Sequence, residues 1–175
     1  MKKIIITAIL FVSIFGLALN DAHAYTYLGG KHKTKNITYR INTLESKYHS
    51  SLKSAFSAWD SATTLTFGPQ VGTNRAQIVV NGKDYGKTGW NAQNYNYRDW
   101  IIGGDYVDSI IDANYYYMSG MVDSKRQGVF GHEIGHSLGL DHVKDTKQIM
   151  CTAADGRSVN KPGNDDIAGV EALYK

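Results

Sequence analysis

Three histidines and one glutamate are spaced so that they could bind and use a metal ion. Residues 132–142 read HEIGHSLGLDH, which fits the pattern H-E-x-x-H-x-x-G-x-x-H. In a helix, His132 and His136 lie one turn apart on the same face, so their imidazoles can bind one cation. Gly139 can adopt a left-handed conformation that ends the helix, and the turn returns His142 as a third ligand. Three protein ligands leave one tetrahedral position of zinc open for water, as in catalytic sites.

Glu133 follows the first of these ligands and would carry a carboxylate to the rim of the same site. Zinc lowers the pKa of a bound water toward about 7, and a neighbouring carboxylate can take the proton as general base. The motif therefore predicts a zinc hydrolase with His132, His136 and His142 as metal ligands and Glu133 as the catalytic residue.

Two other interpretations of the motif are weaker. A surface helix with solvated histidines would require five fixed residues to fall at fixed spacing by chance, in a chain with only 6 histidines. A structural zinc usually has four protein ligands, often thiolates, and the single cysteine, Cys151, lies outside the helix. For Cys151 we expect either an inert, partly buried thiol or a place in the wall of a substrate pocket.

The start of the chain has the three parts of a secretory signal peptide. Residues 1–3 are positively charged, residues 4–19 are almost wholly apolar, and residues 22–24 read Ala-His-Ala. We therefore expect a signal peptide over residues 1–24 and one secreted, extracellular domain over residues 25–175. The alternative is an uncleaved membrane anchor.

Charge and cysteine content narrow the possible partners. The net charge of +3 is too small to indicate nucleic acid or a membrane surface as a partner. One cysteine excludes an internal disulfide, so stability must come from the core and from bound metal. We expect a monomer that acts on a protein or peptide substrate.

Hydrophobic spacing predicts the elements that position the motif. Residues 37–41 alternate between apolar and polar and predict a strand, and residues 48–62 have the spacing of an amphipathic helix. A second strand is predicted over residues 76–80, ended by Asn81-Gly82. Residues 83–104 are interpreted as loops with one or two short strands, and residues 109–118 as β-rich.

The motif helix and a last helix complete this prediction. Ser124 followed by Gln127 resembles a capping box, which would start the motif helix at Lys125. The buried face of this helix is predicted from three apolar residues that recur at every fourth position, namely Phe130, Ile134 and Leu138. A short helix is predicted over residues 165–174. The order of elements indicates an α+β fold with helices on a mostly parallel sheet.

These features resemble the metzincin zinc metallopeptidases, and among them the matrixins, the group of the matrix metalloproteinase catalytic domain. Besides the extended zinc motif, Met150 falls eight residues after His142, where the family has the methionine of its Met-turn beneath the metal. Residues 164–174 resemble the last helix of the family, including its paired aspartates. Residues 37–41, followed by a helix that bears Trp59, also fit.

The resemblance implies a fold and an activity. The fold would be a twisted, mixed five-stranded sheet with three helices, and a cleft between a larger N-terminal and a small C-terminal subdomain. The activity would be hydrolysis of peptide bonds. Either Asp165 or Asp166 would pair with the amino group of Tyr25 after signal cleavage, although both also suit a helix start as acids. The tyrosine-rich residues 95–117 are expected mainly to pack in the sheet and at the surface. Alternatively, part of this stretch would form the upper edge strand of the cleft, where a substrate could add as a further strand.

Some positions depart from the family pattern. There is no histidine between His49 and His132, so we expect the second, structural zinc of the family to be absent. Val143 replaces the serine that usually follows the third ligand. Residues 151–154 replace the Pro and Tyr that follow the Met-turn, so the pocket preference does not carry over. Asp141 is either a support for a histidine ligand or a solvated loop acid. Calcium is compatible with the family but no site is assigned, and the candidate oxygen ligands are Asp105, Asp108 and Asp112.

Two other functions compete with a secreted zinc endopeptidase. One is a zinc-stabilised binding or toxin-like module that no longer cleaves, and the other is a peptidase of another metzincin branch. Glu133 favours an enzyme, because a binding module needs no base there. The paired aspartates favour a matrixin, whereas the altered residues after Met150 weigh against it. The sequence does not predict the natural substrate or the cleavage site.

Overall fold

The computed structural model describes residues 25–72, 75–99 and 104–175, and the expected signal peptide lies outside these ranges. The five strands are β1 (Asn36–Ile41), β2 (Thr66–Pro69), β3 (Ile78–Lys83), β4 (Ala92–Arg98) and β5 (Tyr106–Asn114). The helices are α1 (His49–Ala62), the single turn α2 (Tyr115–Met118), α3 (Asp123–Ser137) and α4 (Asn164–Leu173), and a 3-10 turn (Ser46–Tyr48) precedes α1.

The strands form one sheet in the order β2-β1-β3-β5-β4. The pairs β1–β2, β1–β3 and β3–β5 are parallel, and β4 is antiparallel to β5. This arrangement confirms the predicted α+β fold with a mixed five-stranded sheet. β4 is an edge strand, so one of its sides carries backbone groups that no other described strand pairs.

Helices α1 and α3 pack against each other and bury the faces that the sequence predicted. Phe130 and Ile134 of α3 are buried, as are Leu138, which directly follows α3, and Trp59 of α1. The indole Nε1 of Trp59 donates a hydrogen bond to the carbonyl of Gly131 at 2.9 Å, which fixes α1 to the backbone of α3. Truncating a buried tryptophan to alanine costs about 3–5 kcal/mol, so this contact is central to the position of α3.

Three strand predictions need correction. β3 does not end at Asn81-Gly82, because Gly82 pairs with Ala113 of β5 and the strand continues to Lys83. The β-rich segment does not reach Met118, because the side chain of Asn114 accepts the backbone N–H of Tyr116 at 3.1 Å and starts the turn α2. The short strand β2 was not predicted.

The start of α3 was also predicted wrongly. The helix begins at Asp123, and its N-cap residue, Val122, has no side-chain cap. Ser124 therefore lies within the first turn and does not form a capping box. Asp123 places a negative charge at the positive end of the helix dipole, and it accepts a hydrogen bond from Arg126 at 3.1 Å. The last helix is displaced by one residue from its predicted range.

No helix in the part of the chain that the structure describes is long and apolar enough to span a membrane.

Candidate metal centre

The structure brings the three predicted histidine ligands together. The Nε2 atom of His142 lies 3.1 Å from Nε2 of His132 and 3.1 Å from Nε2 of His136. Two nitrogen ligands of a tetrahedral zinc ion are roughly 3.3 Å apart, so the triad has the spacing that one zinc ion needs. Within the described ranges, no other group of three or more His, Cys, Asp or Glu side chains is close enough to share a metal ion.

Backbone carbonyls orient the rings of the two helical histidines. Nδ1 of His132 lies 2.8 Å from the carbonyl oxygen of Ile149, and Nδ1 of His136 lies 2.8 Å from that of Leu140. A carbonyl only accepts hydrogen bonds, so each Nδ1 carries the proton and each Nε2 keeps its lone pair for a metal. Such contacts fix both the tautomer and the ring direction of a metal ligand.

The turn after α3 follows the sequence prediction. Gly139 has a φ of 106°, a left-handed conformation that L side chains rarely adopt. A Cβ at this position would also collide with the carbonyl oxygen of Gly30. The backbone thus leaves the helix here and returns His142 to the helical histidines.

A segment near residue 26 holds the loop of the third ligand, a contact that no local sequence pattern predicts. The backbone N–H of Asp141 donates to the carbonyl of Thr26 at 2.8 Å, and the hydroxyl of Thr26 donates to the carbonyl of His142 at 2.9 Å. Leu28 donates its N–H to the carbonyl of Gly139 at 2.9 Å. The carboxylate of Asp141 accepts the backbone N–H of His142 at 2.7 Å, so it stabilises the loop.

Met150 lies against the backbone of α3, directly beside the histidine ligands. A Cβ built on Gly135 would collide with the sulfur of Met150 and approach the Trp59 ring to 3.2 Å. Gly128 and Gly131 face the C-terminal segment on the same side of α3. Only glycine allows this approach, so the spacing of Gly128, Gly131 and Gly135 is a signal in the sequence for close packing on this side of α3.

Asp166 of α4 fixes the turn that contains Met150. Its carboxylate accepts the backbone N–H groups of Ile149 at 2.5 Å, Met150 at 3.2 Å and Gly163 at 2.7 Å. Burial raises the pKa of Asp166, and these hydrogen bonds oppose the rise. Because Ile149 also accepts from His132, Asp166 is connected to a ligand through one backbone carbonyl.

Burial sets the protonation of the site. Burial, together with repulsion from His136, lowers the pKa of His132 well below its usual value. Burial lowers the pKa of His136 to about 4. Both rings are therefore neutral at neutral pH, which is the form that binds a metal. Burial raises the pKa of Glu133 to about 8, and the charge of Arg157 opposes this rise.

The side chains of His132, Glu133, His136 and His142 line a cleft of about 460 Å³. One wall is formed by residues 89–94, and the opposite wall includes residues 152–154 and Arg157. Cys151 is fully buried and is absent from this lining, so the structure supports the interpretation of an inert thiol. Burial raises the pKa of its thiol.

Two asparagines of β4 fix the edge strand to the end of α3. Nδ2 of Asn94 donates to the hydroxyl of Ser137 at 2.7 Å, and Nδ2 of Asn96 donates to the carbonyl of His136 at 2.9 Å. Tyr95 and Tyr97, which alternate with them, are exposed. The cleft wall is thus held at a fixed distance from a metal ligand by two asparagines that no sequence motif marks.

Two of the three candidate calcium ligands have other partners. Asp108 accepts a hydrogen bond from Nε of Arg75 at 2.8 Å, and Asp112 accepts one from Nδ2 of Asn81 at 3.1 Å. The described residues place Asp105, Asp108 and Asp112 in no shared metal-binding group.

Known proteins resemble this chain over most of its length. The matrixin family profile matches residues 31–175. Bovine (Bos taurus) interstitial collagenase is 28% identical over 152 residues, which cover 79% of this chain and 32% of that protein. Human (Homo sapiens) matrix metalloproteinase-19 is 24% identical over 157 residues, 83% of this chain and 30% of that protein. Human stromelysin-3 is 25% identical over 174 residues, 90% of this chain and 34% of that protein. The chain thus spans about a third of the length of these relatives.

Proposed function

Because the chain belongs to the matrixin family, we propose that it is a secreted endopeptidase that hydrolyses peptide bonds with one zinc ion. The observation that carries the proposal is the convergence of three imidazole nitrogens in a cleft that also contains Glu133. A binding module that no longer cleaves would need no buried carboxylate at this position, so the geometry favours an enzyme.

His132, His136 and His142 would hold the metal through their Nε2 atoms. When bound, zinc supplies a Lewis acid that activates water and polarises the substrate carbonyl. Glu133, whose ionised form the positive charge of a bound zinc ion would favour, takes the proton from the attacking water and delivers it to the leaving nitrogen as the peptide bond breaks. The cleft holds both groups in place before the substrate arrives, which lowers the entropic cost of reaction.

The edge strand β4 orients the substrate. An extended peptide can add to the unpaired side of an edge strand through backbone hydrogen bonds, while its side chains enter pockets on alternate sides. Asn94 and Asn96 tie β4 to α3, so a peptide on this strand lies at a fixed distance from His136. The substrate is therefore an unfolded or extended segment of protein.

Signal cleavage after Ala24 would create a new amino group at Tyr25. Tyr25 packs beside α4, since a Cβ built on Gly169 would lie 3.0 Å from the Cβ of Tyr25. Either Asp165 or Asp166 would pair with this amino group, and the three backbone N–H groups that Asp166 already accepts favour Asp165. One extra residue before Tyr25 should lower activity, and unchanged activity would exclude the pairing.

Cleavage of casein or gelatin by residues 25–175 tests the proposal. The zinc-loaded protein should cleave, a zinc chelator should stop the reaction, and added zinc should restore it. Glu133→Gln should keep zinc but lose at least a hundredfold in rate, because a general base contributes about 10²–10⁴-fold. Glu45→Gln, on an exposed residue, is the matched control. If Glu133→Gln cleaves as fast as wild type, Glu133 is not the base.

A further inference from the structure

A second cavity opens beside the catalytic cleft. It has a volume of about 570 Å³ and lies between α3 and residues 153–160. Four residues line both the cavity and the cleft, namely Asn91, Val129, Ala153 and Arg157. The two spaces therefore adjoin at these residues, and the cavity lies next to the place where a scissile bond would sit in the cleft.

The charged groups in the lining of this cavity are all positive. Arg157 and Lys125 line it, and no aspartate or glutamate does. Met121 and Val129 contribute apolar surface. The cavity thus combines positive charge with an apolar wall, which suits a short methylene chain that ends in an anion.

Arg157 is held in place but has donors to spare. Its Nη1 donates to the carbonyls of Ile149 at 3.3 Å and Cys151 at 3.4 Å, which directs the guanidinium along the cavity wall. None of the ion pairs among residues 25–72, 75–99 and 104–175 includes Arg157. A guanidinium has five N–H donors and stays charged in proteins. The donors on Nε and Nη2 are available to a ligand.

A carboxylate is the ligand that completes this arrangement. Covering a half-buried guanidinium with an apolar side chain removes water without replacing its hydrogen bonds, which is unfavourable. A carboxylate restores those bonds and pairs the charge. The charges of Glu133 and Asp166 are close enough to act on Arg157, but neither carboxylate lines this cavity or forms an ion pair with Arg157 among the described residues.

We propose that the cavity binds the acidic side chain of a substrate residue next to the scissile bond, and that Arg157 determines this specificity. The proposal rests on the peptidase function and names a substrate class for the same site. The competing interpretation is that Arg157 only anchors the loop through the carbonyls of Ile149 and Cys151.

Cleavage of matched peptides separates these interpretations. A peptide library first gives a cleaved sequence, and the residue on each side of its scissile bond is then varied among Glu, Gln, Leu and Lys. At one of the two positions, wild type should prefer Glu over Gln by about tenfold to a hundredfold in kcat/KM. Arg157→Gln should remove the preference, Arg157→Lys should retain part of it, and Arg157→Glu should shift it to Lys.

Arg40→Gln is the matched control, because Arg40 is exposed on β1 and lines neither space. It should keep the wild-type preference. Equal cleavage of Glu and Gln peptides by wild type would overturn the proposal. A uniform loss for all peptides in Arg157→Gln would also overturn it and would favour the anchoring role. If Arg157→Gln fails to fold, wild type and Arg157→Lys still decide the question through the Glu-to-Gln ratio.

Calorimetric binding to zinc-loaded Glu133→Gln separates this proposal from the proposed function. The Glu peptide should bind about tenfold to a hundredfold more tightly than the Gln peptide, and adding Arg157→Gln should abolish the difference. This result would stand even if wild type cleaved nothing, in which case only the peptidase function would fail. Equal binding of the two peptides, or no binding of either, would overturn the acidic specificity.

Discussion

The hydroxyl of Thr26 donates a hydrogen bond to the backbone carbonyl of His142, with 2.9 Å between the two oxygens. The residues are 116 positions apart, so the contact joins the N-terminal segment to the loop of the third ligand. His132 and His136 are buried in α3, whereas His142 is exposed. The position of His142 therefore depends on backbone contacts of its loop more than on core packing.

Thr26→Val should weaken zinc binding. Loss of one hydrogen bond costs about 0.5–1.5 kcal/mol, which corresponds to a two- to tenfold higher dissociation constant. Competition with a chelator measures this constant. Thr146→Val, on an exposed threonine in the loop between His142 and Met150, should bind zinc like wild type. Equal affinity of both variants would show that Thr26 does not position His142.

Gly135→Ala should destabilise the protein although alanine favours helices. In an open helix, the change would stabilise by about 1 kcal/mol. Here the new Cβ would meet the sulfur of Met150, and overpacking costs about 1–3 kcal/mol. We expect Tm to fall by roughly 2–8 °C, with faster loss of zinc to a chelator.

Gly120→Ala is the control for this substitution, because a Cβ at Gly120 would meet no atom within 4 Å. It should leave Tm within about 2 °C of wild type. A higher Tm for Gly135→Ala would mean that Met150 does not pack against the helix.

The local parts of the site could be predicted from the sequence. The spacing of His132 and His136 places both residues on one face of a helix, and Gly139 allows the left-handed conformation that ends this helix. Short-range geometry is therefore sufficient to predict both features. The buried stripe of α3 and the alternation of β1 were predictable for the same reason. The helix start was not, because Ser124 and Gln127 fit a capping pattern that the packing of Asp123 against Ser51 and Arg126 overrides.

The long-range parts of the site could not be predicted. Thr26, Asn96 and Arg157 reach the metal site from segments far apart in the chain, and nothing in their local sequence distinguishes them from surface residues. Their roles depend on the order of strands in the sheet. The three tyrosines after Asn114 have strand propensity, but the side chain of Asn114 starts a helical turn there.

His32 should make stability depend on pH. It is 1% exposed, its Nδ1 has no hydrogen-bond partner, and its Nε2 lies 3.2 Å from the hydroxyl of Ser109. Burial lowers its pKa to about 4, and the nearby backbone of Tyr106 and the charge of Asp108 oppose this shift. Between pH 6.5 and about 4, the unfolded chain binds more protons at this residue than the folded one. The free energy of unfolding should therefore fall as pH falls through this range.

Urea unfolding of wild type and His32→Gln at pH 7 and pH 4 measures this effect. The contribution of His32 is complete above pH 6.5 and decreases by up to roughly 3 kcal/mol toward pH 4. His132 and His136 are present in both proteins, so their contributions cancel in the difference. Between pH 7 and pH 4, the free energy of unfolding should decrease less for His32→Gln than for wild type. Identical pH dependence in the two proteins would show that His32 does not titrate as its burial predicts.

X-ray absorption spectroscopy of the zinc-loaded protein decides whether the three histidines bind one metal ion, because it reports the atoms around the metal. We expect one zinc per chain with three imidazole nitrogens at about 2.0–2.1 Å and one oxygen ligand, and two imidazoles after His142→Ala. A sulfur ligand from Cys151, or a zinc shell that His142→Ala leaves unchanged, would contradict this expectation.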